Sequence, residues 1–65
     1  MVNIGKNIKR LRKEHSLTQA ELAKMLGVTC QAVSKWETKA NSPDIVLIPK
    51  IAELFDVSID ELFEE

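Results

Sequence analysis

The chain has 65 residues, 45% hydrophobic and 29% charged, which describes one folded unit near the size where a single core is just sufficient and excludes a disordered polymer. Its longest apolar run, Ile45 to Ile48 closed by Pro49, is far short of the ~20 residues that cross a bilayer, no basic-then-apolar leader opens the sequence, and the lone Cys30 excludes an internal disulfide, so a cytoplasmic protein is expected. The net charge of −1 hides a polarity: residues 1–43 carry eight Lys/Arg against three acids, and residues 44–65 carry only Lys50 against seven.

In chain order, Ile4, Ile8 and Leu11 recur at i, i+4, i+7, which predicts a first helix. Lys6, Lys9, Arg10 and Lys13 fall on its opposite side, where charge is normal for a solvated face. Thr18 followed by Glu21 forms a capping box for a second helix, with Leu17 and Leu22 as the hydrophobic staple. Leu22, Met25 and Leu26 are its expected apolar face, Ala23 is small enough for close helix approach, and Gly27 supplies the left-handed stop. Thr29 then caps a third helix reaching about Lys39, with Val33 and Trp36 inward. Helix, glycine turn, helix is the helix-turn-helix layout. Asn41 to Asp44 read as a loop, and Pro49 belongs in the first turn of a fourth helix carrying Ile48, Ile51, Ala52, Leu54 and Phe55. Val57 to Leu62 repeat the staple and capping box and start a short fifth helix with Leu62 and Phe63. The predicted class is all-α, five helices, with residues 1–65 as a single helix-turn-helix domain.

LAKMLGVTCQAV and IAELFDVSIDEL echo one another 29 residues apart, so the sequence offers two candidate helix-turn-helix units. Charge separates them. The second ends in IDELFEE, and the carboxylates of Asp60, Glu61, Glu64 and Glu65 repel phosphate; its apolar members are expected to close the core or join two subunits. The first presents Gln31, Ser34, Lys35 and Thr38 opposite Val33 and Trp36. A Gln amide matches adenine N6/N7, and a Lys one turn on reaches guanine O6/N7 or a phosphate. The second helix starts with free N–H groups and a positive dipole end suited to a phosphate oxygen, to which Gln19 adds a side-chain amide.

No metal-ligand cluster, phosphate-cradling glycine loop or nucleophile–base pair is present, so no catalytic residue, metal, cofactor or small-molecule ligand is expected. His15, at the end of the first helix, reads as a surface residue or dipole partner. Cys30 has two readings: a small residue that touches a thymine methyl in the groove, or an exposed thiol at a helix start that is open to oxidation.

Taken together, IGKNIKRLRKEHSLTQAELAKMLGV, QAVSKWE and SPDIVLIPKIAELFDVSIDELF resemble the Cro/Xre-type, lambda-repressor-like helix-turn-helix transcriptional regulators along essentially the whole chain. The resemblance implies a compact five-helix domain whose third helix enters the major groove of double-stranded DNA. It implies that Gln19 contacts phosphate at the start of the second helix and that Thr29, Cys30, Gln31 and Lys35 face the groove. The expected base-reading residues are accordingly Cys30, Gln31, Ser34 and Lys35, and the expected phosphate contacts Thr18, Gln19, Thr29, Thr38, Lys39 and Asn41. The resemblance also implies an Arg12–Glu37 pair, and a repressor that occupies a two-fold operator as a homodimer. The last helix with Phe63 is the candidate surface for joining two subunits. An antitoxin-like or coactivator-like interaction module on the same fold is the alternative. The chain departs from the family in three places: Cys30 stands where close relatives often carry arginine, Thr38-Lys39 replaces Asn-Gly, and Asp56 replaces a turn glycine. Lys39 and Asp56 are therefore expected at positive φ.

Overall fold

The structure, a computed structural model, describes residues 4–64. It is built of α1 (Ile4–Glu14), α2 (Gln19–Leu26), α3 (Cys30–Glu37), α4 (Ile48–Phe55) and α5 (Ile59–Leu62), with one 3-10 turn at Ile45–Leu47. No strand occurs among the described residues, and none of their helices is long and apolar enough to cross a membrane. Glu65, one of the terminal carboxylates, lies outside the described residues.

The start signals read from the sequence are present as hydrogen bonds. Glu21 N–H donates to Thr18 Oγ1 (3.0 Å) while Thr18 N–H donates to Glu21 Oε1 (2.9 Å). Ser58 and Glu61 make the same reciprocal pair, and Thr29 Oγ1 accepts from Ala32 N–H. Each cap of this kind contributes about 1 kcal/mol, appreciable for helices of eight residues or fewer.

The helix ends share one device. At Ser16, Gly27, Lys39 and Asp56 the chain turns to φ between 55° and 73°. The next residue's N–H then reaches back five positions: Leu17 to Arg12 O, Val28 to Ala23 O, Ala40 to Lys35 O and Val57 to Ala52 O, all at 2.9–3.0 Å. This is the Schellman closure, which satisfies carbonyls that a helix end leaves open. Only one of the four turns uses glycine. Lys39 and Asp56 take the positive φ expected of them; Ser16 does so without a sequence signal. Because Lys39 has already turned, α3 stops at Glu37, two residues earlier than its expected end.

The largest fully buried side chains come one from each helix: Ile8, Leu22, Val33, Ile51 and Leu62. The 29-residue echo is therefore structural, with Leu22 matching Ile51, Ala23 matching Ala52 and Val33 matching Leu62 in the core. The left-handed Gly27 matches the left-handed Asp56. The second unit thus closes the core. One expected core member is wrong: Met25 is 55% exposed. At ~100° per residue, Leu22, Leu26 and Ala23 span one arc, and Met25 falls ~60° outside it. Phe63, expected in the last helix, instead caps it and stays half exposed.

Two contacts that set helix orientation had no sequence signal. Asn7 Nδ2 donates to the carbonyls of Leu62 and Glu64, both at 2.7 Å, so α1 holds the end of α5. Gly5 lies against the end of α3, where an added Cβ would stand 1.8 Å from the Trp36 carbonyl oxygen.

Gly5→Ala is therefore expected to destabilise by about 1–3 kcal/mol, because overpacking against backbone outweighs the ~1 kcal/mol helix-propensity gain. A urea midpoint equal to the parent's would refute the close-approach reading. Lys39→Gly, which relieves a positive φ, is expected to raise stability by about 1 kcal/mol in the same titration; a lower midpoint would show that Lys39 is unstrained.

Candidate nucleic-acid interface

The outward face of α3 follows from its inward one. Val33 and Trp36 are buried, and at ~100° per residue Gln31, Lys35 and Thr38 fall on the opposite side, where all three are exposed. Cys30 is exposed in the first turn, and Ser34 is half-buried at the flank. Of the expected phosphate contacts, Thr18, Thr29, Lys39 and Asn41 are exposed and Gln19 is half-buried. The hydroxyl oxygens of Thr18 and Thr29 already accept cap bonds, which leaves their O–H protons as the groups able to donate outward.

The tilt of this face is held from behind by an ion pair that the resemblance implied. Arg12 Nε donates to Glu37 Oε2 at 2.7 Å and Arg12 Nη2 to Oε1 at 3.1 Å, a bidentate fork. Nη1 of the same guanidinium donates to the Leu17 carbonyl at 2.7 Å, so one side chain ties α1 to the α1–α2 turn and to α3. The Glu37 side chain is 3% exposed and that of Arg12 11%. Such a pair adds little net stability, but losing one partner strands a buried charge.

Glu37 has a third partner: Gln19 Nε2 donates to its Oε1 at 3.0 Å. Gln19 is thus drawn toward α3 as well as standing at the start of α2. The capping box there consumes two N–H groups and sets the Glu21 carboxylate at the same helix end. Helix geometry leaves the N–H groups of Gln19 and Ala20 without intrahelical acceptors. His15, near the end of α1, packs its ring on Phe55 with centroids 5.0 Å apart and sets Nδ1 2.9 Å from the Leu11 carbonyl oxygen.

Burial opposes the charge on Glu37, yet hydrogen bonds from Arg12 and Gln19 and the charges of Arg12 and Lys9 outweigh it and hold its carboxyl below the usual range. The Thr18 N–H, then the Thr18 hydroxyl, lowers Glu21 in the same sense. A carboxylate depressed in the folded state stabilises the fold above its unfolded pKa of ~4.3, and that contribution disappears as pH falls through the lower folded value. Thermal midpoints followed by circular dichroism should be flat from about pH 7 to 5 and fall below about pH 4. Glu37→Gln should melt lower than the parent at neutral pH and show a shallower acid decline; an unchanged acid limb would remove Glu37 as its source.

Comparison with known proteins identifies the fold and the family. The profile of the helix-turn-helix family matches residues 8–62. The antitoxin PezA of Streptococcus pneumoniae is 42% identical over 62 residues, which cover 95% of this chain and 39% of PezA. The HTH-type transcriptional regulator MJ0272 of Methanocaldococcus jannaschii is 41% identical over 56 residues, 86% of this chain and 85% of that protein. The crystal structure of the P22 c2 repressor in complex with a synthetic operator superposes with a TM-score of 0.87 at 30% identity, covering 98% of this chain and 97% of that one. The chain spans only 30% to 52% of the length of the first three curated relatives it matches. On the matched residues, the shared arrangement of α1 to α5 and the paired helices α2 and α3, the chain belongs to the helix-turn-helix family, of the Cro/Xre, lambda-repressor-like type.

Proposed function

We propose that this domain binds double-stranded DNA sequence-specifically as part of a transcriptional regulator that represses by occupying its operator, with α3 in the major groove. The observation that carries the reading is the exposed Gln31–Lys35 face of α3, set opposite the buried Val33 and Trp36 and tilted by the Arg12–Glu37 pair. Gln31 reads adenine, Lys35 reads guanine or a phosphate, and Ser34 and Cys30 line the groove, the thiol against a thymine methyl. Thr18, Gln19, Thr29, Thr38, Lys39 and Asn41 hold the backbone on either side. The operator complex of the P22 c2 repressor supports this reading. The protein acts in the cytoplasm by binding alone, with no catalytic step.

One module of this size meets few phosphates, so the working form is a homodimer on half-sites about 34 Å apart. Its contact surface is the C-terminal helix, where Ile59 and Phe63 are half exposed, and Ile45, 81% exposed, lines the same surface depression as Phe63. A second reading, an antitoxin-like interaction module, is favoured by the 42% identity to PezA. The two separate on salt: DNA binding releases counterions and weakens steeply as salt rises.

The parent domain should bind random duplex with a steep negative salt slope, and a flat response would favour the protein-interaction reading. Against sequences chosen by selection from a random pool, Gln31→Ala should lose about 1–3 kcal/mol and accept more than one base at a single position. Equal binding of every sequence by parent and variant would end the base-reading assignment.

A further inference from the structure

Gln19 is the first residue of α2, yet its side chain does not simply face solvent. Its Nε2 donates to Glu37 Oε1 at 3.0 Å, on the carboxylate that Arg12 already holds in a bidentate fork. A carboxylate only accepts, so the Gln19 amide must turn nitrogen, and not oxygen, toward Glu37. The amide cannot flip without setting its carbonyl against a negative charge. Its second Nε2 proton is then directed away from Glu37, at the end of α2 where the N–H groups of Gln19 and Ala20 also lack intrahelical acceptors. We propose that Glu37 is a positioning residue for DNA-backbone contact: it locks the Gln19 amide with one N–H presented to phosphate, and so ties the phosphate grip of α2 to the base-reading helix α3.

This rests on the DNA reading above and adds a specific dependence to it. Fixing a rotatable amide before contact removes part of the ordering cost of binding. It also means that a shift of α3, which carries Gln31 and Lys35, moves the phosphate contact with it. Arg12 takes part only through Glu37 and the Leu17 carbonyl.

The test is a cycle on a random-sequence duplex, since a phosphate contact does not depend on base sequence. Gln19→Ala alone should weaken binding about three- to tenfold, the net worth of one hydrogen bond at a solvated surface. The double variant Arg12→Met/Glu37→Met replaces the ion pair by apolar groups, a change that folded proteins tolerate well. It should weaken binding by at least a similar factor, and by a smaller factor when Gln19 is already alanine, because the loss through α3 then remains while the loss through the Gln19 amide does not. If the double variant binds like the parent, or if the two losses multiply, the proposal is overturned and the pair is merely structural. Should the double variant fail to fold, the Gln19 side-chain amide protons of the parent give the reading by nuclear magnetic resonance. Duplex must shift them and slow their exchange; an unmoved pair overturns the proposal. A parent that ignores duplex at every salt concentration would instead overturn the DNA reading and the inference with it, and the parent titration alone identifies that case.

Discussion

The grip of α1 on α3 is the constraint from which the rest of the molecule follows. It acts at two points. Gly5 lets the helices meet so closely that no Cβ fits against the Trp36 carbonyl, and Arg12, two turns further along, holds Glu37 with a bidentate fork. One contact sets the distance between the helices and the other sets rotation. With both satisfied, Val33 and Trp36 must point inward, and the geometry of a helix then sends Gln31 and Lys35 outward.

The ion pair illustrates why a weak contributor to stability can be structurally decisive. Desolvating two charges nearly cancels their attraction, whereas removing one partner costs about 3–5 kcal/mol. Such a pair punishes every arrangement in which its members are apart. Here it also reaches the Leu17 carbonyl and the Gln19 amide, so α1, α2, α3 and the turn between the first two share one network. The acidic half of the chain plays the complementary part. Its buried residues, Ile51, Phe55 and Leu62, complete the core, while Asp44, Glu53, Asp56, Asp60, Glu61 and Glu64 stay exposed.

Much of the fold was legible because its start signals are local. A Thr or Ser followed three residues later by Glu caps a helix by reaching its own backbone, and both boxes are present as hydrogen bonds. Periodicity was a weaker guide where a helix is short: in eight residues a methionine at the edge of the apolar arc looks like a core member, and Met25 is exposed. The helix ends were legible only in part. Glycine announces a left-handed turn, but Ser16 adopts one without announcing it, because the closing hydrogen bond and the packing of the half-buried Leu17 against the core outweigh a strain of ~1–2 kcal/mol.

By itself the sequence determined the number and order of the helices, the caps that start them, the exposed face of α3 opposite Val33 and Trp36, and the split of charge between the two halves of the chain. These are properties of neighbours along the chain, set by hydrogen bonds and helical spacing within a few residues. Only the tertiary structure decided the roles of Gly5, Asn7 and Gln19. Gly5 works through a backbone more than thirty residues away, Asn7 through carbonyls at the far end of the chain, and Gln19 through the carboxylate of Glu37. Their chemistry is ordinary; their partners exist only once the helices are packed.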